Sequence, residues 1–320
     1  MNSQLVERRC QEIRNEISRA VIVDDEVLTT ILAGFLADGH VLLEDVPGTG
    51  KTLTARTIAD VLGLSFSRIQ FTPDLLPSDV TGTEIFNEQT RTFEFQPGPL
   101  FANIVLADEI NRASPKTQAA LLEAMAEGQV TVGNESHELP TPFFVIATQN
   151  PIESEGTFEL PEAQKDRLMI KTSLGYPTEE GELELLDRRS ERRSSRATAE
   201  RICSPEDIQQ LRAAPESVRV SGKITRYIVS LVRETRADDR VETGVSPRGT
   251  QRLFEITRAR AAIDGRSYAT PDDVKNVAPA ALAHRIVLTP EAKIEGVEAR
   301  RVIEDILESV PVPTITAEAR

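Results

Sequence analysis

The sequence is poor in the residues that staple or metallate small folds. Two cysteines, Cys10 and Cys203, are too few for a disulfide framework and fit a reducing compartment. Three histidines, His40, His137 and His284, stand far apart, so no zinc signature can be assembled from their spacing. No apolar run approaches the roughly 20 residues of a membrane-spanning helix. The polar start, Met1 to Ser18, carries Glu7, Glu12 and Glu16 and lacks the apolar centre of a signal peptide. Basic residues are in deficit, 37 against 51 acidic, for a net charge of −14. That balance repels phosphate backbones and argues against nucleic-acid binding through the bulk surface. A soluble, cytoplasmic protein with no membrane insertion is expected.

With 320 residues the chain exceeds one typical domain of roughly 150 residues, which suggests two. It is long enough to bury about three-quarters of its unfolded surface without a staple. Leu5, Ile13 and Ile17, then Val27, Leu28, Ile31, Leu32, Phe35 and Leu36, mark two helices, the second stopped by Gly39. Short apolar runs follow at His40–Glu44, Ser65–Phe71, Asn103–Ala107, Phe143–Thr148 and Leu168–Thr172, with helical patterns between several of them. One such helix is punctuated by Ser114, Pro115 and Gly128. Strands alternating with helices predict an α/β fold with a parallel, doubly wound sheet. Two hairpins interrupt it, Glu84–Asn87 with Thr92–Gln96 and Gln129–Val132 with Ser136–Leu139. Beyond Tyr176 only helical patterns are read, which gives an α/β domain over 1–176 and an all-helical domain over 177–320.

The strongest chemical signal is Asp45-Val46-Pro47-Gly48-Thr49-Gly50-Lys51-Thr52, between a strand and a helix. A phosphate chain needs inward backbone N–H groups, a positive charge and a hydroxyl for magnesium. Gly48 and Gly50 let the backbone wrap closely, and the segment from Val46 through Leu53 surrounds the phosphates at a helix N-terminus. Lys51 suits the β- and γ-phosphates, and Thr52 suits Mg²⁺. Asp45 stands where the full consensus has glycine. The second signal is Ile104-Val105-Leu106-Ala107-Asp108-Glu109, a buried strand ending in two carboxylates. Asp108 suits the shell of the Mg²⁺, and Glu109 can take a proton from, or polarise, the attacking water. Asn150 ends the next strand at the same edge, where an amide can orient that water. Two arginines, Arg167 and Arg248, are candidates to stabilise charge on a transferring γ-phosphoryl group. Spacing alone leaves Arg167 evenly balanced against an exposed charge paired with Asp166.

These motifs together resemble the AAA+ ATPases and, within them, the MoxR family. The matching stretches are Leu42–Thr52, Gly98-Pro99-Leu100-Phe101, Ala107-Asp108-Glu109-Ile110-Asn111-Arg112-Ala113 and Gln118–Met125. They continue with Ala147-Thr148-Gln149-Asn150-Pro151, Leu160–Gln164 with Asp166-Arg167, Gly175-Tyr176-Pro177 and Ser246-Pro247-Arg248. The resemblance implies a homo-oligomeric ring, usually a hexamer, with ATP and Mg²⁺ between subunits and a helical lid. It implies that Asn150 is a first sensor, Arg248 a second sensor, and Arg167 an arginine finger acting on the neighbour's ATP. The backbone at Val21-Ile22-Val23 would contact adenine, and the hairpins would face the pore or a partner. It further implies chaperone-like remodelling of protein clients, often with a von Willebrand factor A domain. Two other readings compete: a nucleic-acid motor of the same clade, and an ATP-switched scaffold with little turnover. The hairpins oppose the first, with five glutamates against Arg91. Arg188, Arg189, Arg192, Arg193 and Arg196 form the one basic patch, read as a solvated helix end and loop.

Overall fold

Apolar stripes and capping side chains set where the helices begin. The computed structural model describes residues 3–151, 157–191 and 199–314. Arg192, Arg193 and Arg196 of the basic patch, and the last six residues of the C-terminal tail, lie outside them. Helix α1 (Ser3–Ala20) buries Val6, Cys10, Ile13 and Ile17 along one side. Helix α2 (Asp25–Leu36) starts at Asp24, whose carboxylate accepts hydrogen bonds from the amides of Glu26 and Val27. The end of α2 differs from expectation. The left-handed residue there is Asp38 (φ 54°), and Gly39 serves close packing, because a Cβ would lie 2.5 Å from the Met169 side chain.

Strand β1 (Val41–Glu44) leads through the glycine loop into α3 (Lys51–Leu62). Then come β2 (Phe66–Gln70), a single helical turn α4 (Pro77–Thr81), and the hairpin β3 (Gly82–Asn87) and β4 (Thr92–Pro97). Strand β5 (Ile104–Asp108) is followed by α5 (Pro115–Glu127), capped by Ser114 and closed by Gly128 at φ 65°. The second hairpin, β6 (Gln129–Val132) and β7 (Glu135–Glu138), precedes β8 (Phe144–Gln149), the short α6 (Glu162–Lys165) and β9 (Ile170–Thr172).

Five strands pair in parallel in the order β2-β5-β8-β1-β9. Along β1, Val41 and Leu43 join one apolar cluster while Leu42 joins the other, so the strand is buried on both faces. One direction for all strands gives the sheet two unlike edges. Glu44, Gln70, Asp108 and Gln149 gather at the C-terminal edge, with Glu44 level with Gln149 and Gln70 with Asp108. His40, Phe143 and Met169 precede the strands at the opposite edge. Neither hairpin joins this sheet. They pack on each other instead, with the Phe95 ring stacked on His137 at 3.8 Å and 10°.

The remaining elements are α7 (Glu179–Glu191), α8 (Pro205–Ala213), α9 (Gly222–Thr235), β10 (Val241–Thr243), α10 (Pro247–Ile263), α11 (Pro271–Leu282), β11 (Val287–Leu288), α12 (Pro290–Ile294) and α13 (Ala299–Ser309). Ser204-Pro205, Ser246-Pro247, Thr270-Pro271 and Thr289-Pro290 repeat one start signal, an accepting hydroxyl and then a proline that needs no donor. The lid is helical with one addition, an antiparallel ribbon of β10 and β11 too short to leave a periodic pattern. A single apolar cluster runs from Val6 in α1 through Ile31, Leu43 and Ile58 to Leu253 in α10 and Ile306 in α13, so packing continues across Tyr176.

Candidate functional site

At the C-terminal edge, the loop between β1 and α3 is shaped for an anion. Gly48 and Gly50 have φ of +91° and +87°, and a Cβ at either would meet nothing within 4 Å. Glycine is therefore required there by backbone conformation, and the loop opens on free space. Gly50 offers no side-chain cap to α3, which leaves the first-turn amides of Lys51, Thr52 and Leu53 turned toward that space. Lys51 Nζ donates to the carbonyls of Asp45 (2.8 Å) and Val46 (2.9 Å). An ammonium held only by two carbonyls is ready to exchange them for phosphate oxygens.

The two carboxylates at the end of β5 sit in different networks. Asp108 is buried and accepts from Arg68 Nε (3.1 Å), Arg68 Nη2 (2.6 Å) and Thr148 Oγ1 (2.6 Å). A guanidinium thus stands against the carboxylate expected to face a divalent cation. Thr148 Oγ1 also accepts from the Glu109 amide at 2.8 Å. Glu109 has a left-handed backbone (φ 57°), costly for a residue with a Cβ. Its Oε2 accepts from Gln70 Nε2 (2.8 Å) and Arg112 Nη1 (2.9 Å). Asn150 is buried directly after β8, which pairs with both β1 and β5. The sheet therefore brings the phosphate loop, Asp108, Glu109 and Asn150 to one edge.

It does not bring the arginines there. Arg167 precedes β9 and stands at the opposite edge, a four-residue strand or about 13 Å away. Its Nη1 donates to the Leu122 carbonyl at 2.8 Å, and it lines a groove with Glu123, Glu127, Gln129 and Gln164. The expected alternative, pairing with Asp166, is not what forms. Asp166 accepts from Arg285 Nε (2.8 Å) and from Ser246 Oγ (3.1 Å). Ser246 is the N-cap of α10, so Arg248, exposed on its first turn, is tied to the same edge as Arg167. Arg285 is buried, and desolvation, opposed by Asp166, lowers its pKa to about 10.

A second cavity lies over the phosphate loop. Val21, Ile22, Leu53, Tyr176, Pro177 and Leu185 give it apolar walls, and Gly48 to Gly50 form its floor. Asp24, close to the Val21–Val23 segment, is explained by its capping of α2. A larger cavity, about 750 Å³, lies elsewhere, around His40, Met125, Arg212 and Arg252. Its arginines are already paired, Arg212 with Asp38, Arg252 with Glu255 and Arg258 with Glu216, so the smaller cavity is the better candidate for a base.

Residues 40–170 match the family described as "ATPase family associated with various cellular activities (AAA)", and residues 233–306 match the AAA lid domain. Chaperone MoxR1 of Mycobacterium tuberculosis is 41% identical over 311 residues, covering 94% of this chain and 82% of that protein. This chain belongs to the MoxR family of AAA+ ATPases. The Bacillus subtilis protein YeaC, itself uncharacterized, is 49% identical over 304 residues, 95% of each chain. The crystal structure of a Cytophaga hutchinsonii protein assigned to the ATPases superposes with a TM-score of 0.90 at 41% identity, covering 98% of this chain and 97% of that one. The five-stranded parallel sheet and helical lid are thus the AAA+ architecture. No helix among the described residues is long and apolar enough to cross a membrane.

Arg68 and Gln70 drew no notice in the sequence, and Thr148 and Asp166 were named there without the roles they take, yet all four hold the expected residues in place. A signal existed for two of them. Arg68 and Gln70 lie on one side of β2 by strict alternation, and only the pairing of β2 with β5 makes that side face the carboxylates.

Proposed function

We propose that this MoxR-family protein hydrolyses ATP with Mg²⁺ at interfaces between identical subunits of a ring, with six as the expected number. The separation of the phosphate loop from Arg167 and Arg248, at opposite edges of one sheet, carries this reading. A single chain does not bring Arg167 or Arg248 to its own loop, so on this reading a neighbour completes the site. A partner arginine on a developing γ-phosphoryl charge accounts for roughly 10³–10⁵ in rate elsewhere among such enzymes. On this reading Arg248 serves the neighbour's nucleotide beside Arg167, rather than its own.

The residues present fit the cofactors. The backbone N–H groups of the Val46–Leu53 segment, to which Pro47 adds none, and the Lys51 ammonium would hold the phosphates, and the apolar walls at Ile22 and Tyr176 would take adenine. Thr52 and Asp108 offer the hard oxygens that Mg²⁺ prefers, few enough to leave room for phosphate and water. Bound Mg²⁺ would neutralise charge on the β- and γ-oxygens. Glu109 would accept a proton from water as its oxygen bonds to the γ-phosphorus and the bond to the bridging oxygen breaks, giving ADP and phosphate. Gln70 and Arg112 aim the Glu109 carboxylate, and Asn150 would orient the water. Glu109→Gln should keep ATP binding and stop turnover; hydrolysis at the parent rate would defeat the assignment.

The work done is proposed to be remodelling of a protein client, with a von Willebrand factor A domain as partner. The chaperone name of the Mycobacterium relative supports this class. The hairpins, joined by the Phe95–His137 stack, present exposed Ile85, Phe86 and Phe93 beside glutamates, a surface suited to protein rather than phosphate.

A further inference from the structure

Asp45 departs from the glycine of the phosphate-loop consensus, and its surroundings give the departure a role. The residue is 4% exposed. Its carboxylate reaches away from the loop to the segment after β9. Oδ1 accepts from Ser173 Oγ (2.7 Å) and the Gly175 amide (3.0 Å), and Oδ2 accepts from the Leu174 amide (2.7 Å). These residues lead straight into Tyr176 and Pro177, which wall the cavity over the loop, and then into α7. The backbone of Asp45 makes two further links. Its carbonyl takes the Lys51 ammonium at 2.8 Å, and its amide donates to the Gln149 carbonyl at 3.2 Å, one residue before Asn150. Glycine at this position could make the backbone links but not the third.

We propose that Asp45 is a positioning residue that couples occupancy of the phosphate loop to the connection between the α/β domain and the lid. The proposal rests on the ATPase reading above. When phosphate draws the Lys51 ammonium away, the carbonyls of Asp45 and Val46 lose their shared donor. The first residue of the loop then readjusts, and its carboxylate, held by three hydrogen bonds, carries residues 173–175 with it. The lid responds through Tyr176 to α7. Charge-assisted bonds from a buried carboxylate are strong and directional enough to transmit such a shift.

The chain has no tryptophan, so Tyr176→Trp provides a single emitter in the linking segment of the full-length protein. In that background ATP should shift the emission, and ADP should shift it less. Asp45→Asn preserves size but puts an amide in place of one carboxylate oxygen, against N–H donors. Its affinity for ADP should stay within about threefold, because Lys51 and the loop amides remain. Its ATP-dependent emission shift should vanish, and kcat should fall about tenfold or more, as expected for a misplaced rather than missing catalytic group. Asp45→Asn with the emission shift intact and kcat within about twofold of the parent would overturn the coupling. So would equal losses of ADP affinity and kcat, which would make Asp45 a support of the loop alone. If Asp45→Asn does not fold, Ser173→Ala decides: a weakened emission shift upholds the proposal, and a parent-like one overturns it. Failure of the ATPase reading looks different, since the Asp45-containing reporter would itself bind or hydrolyse no ATP.

Discussion

Arg285→Met should destabilise the protein by about 3–5 kcal/mol, the cost of leaving a buried ion-pair partner alone. The Arg285 side chain is 1% exposed, and that of Asp166 21%. Its guanidinium donates to the Asp166 carboxylate (2.8 Å) and to the carbonyls of Asp166 (3.3 Å), Leu168 (2.6 Å) and Met169 (3.0 Å). Methionine has similar bulk, so little of the loss is cavity. The loss comes from acceptors without donors and a carboxylate facing a thioether. At roughly 2–4 °C per kcal/mol, the melting temperature should fall by about 10 °C. The damage should also reach catalysis, because Asp166 precedes Arg167 and holds the Ser246 cap of the helix that bears Arg248. Circular dichroism melts and an ATPase assay at 20 °C or so below the transition check both. A melting temperature within about 2 °C of the parent would refute the reasoning.

Arg167→Ala should lower kcat by about 10³-fold or more with nucleotide affinity little changed, since its side chain is remote from its own loop; steady-state assays with nucleotide titration read both. Acid should destabilise the fold earlier than carboxylates alone would. Desolvation holds His40 at about 4, despite its bond to the Met125 carbonyl, against an ordinary 6.5. The folded state therefore resists a proton that the unfolded chain accepts. This stability is present above about pH 6.5 and is lost as pH falls toward 4, with about 2 kcal/mol gone at pH 5. Urea titrations at pH 7.5 and 5 should show the drop, and His40→Gln should reduce it. His284, also held low by burial and by Arg285, adds a loss of the same sign that His40→Gln leaves in place.

Much of the fold was legible because its signals are local. Ser114, Pro115 and Gly128 mark α5 to the residue. The phosphate loop was legible for the same reason, since its glycines, lysine and threonine are consecutive. What stayed hidden depends on strand order. Arg68 meets Asp108 only because β2 lies beside β5, and Thr148 bridges Asp108 to Glu109 only because β8 lies on the other side. Asp45 read as a tolerated departure, because its three donors arrive from residues 173–175, far along the chain. The β10–β11 ribbon was missed because pairing, not periodicity, defines a strand of two residues.

Mixing two inactive variants tests the shared site most directly. Lys51→Ala lacks the loop cation and keeps its arginines; Arg167→Ala keeps the loop and lacks the arginine. Random assembly of equal amounts should give about one interface in four with both parts intact, and ATPase activity near a quarter of the parent's. Activity in the mixture no greater than that of the separate variants, under conditions where subunits exchange, would contradict a site built from two chains.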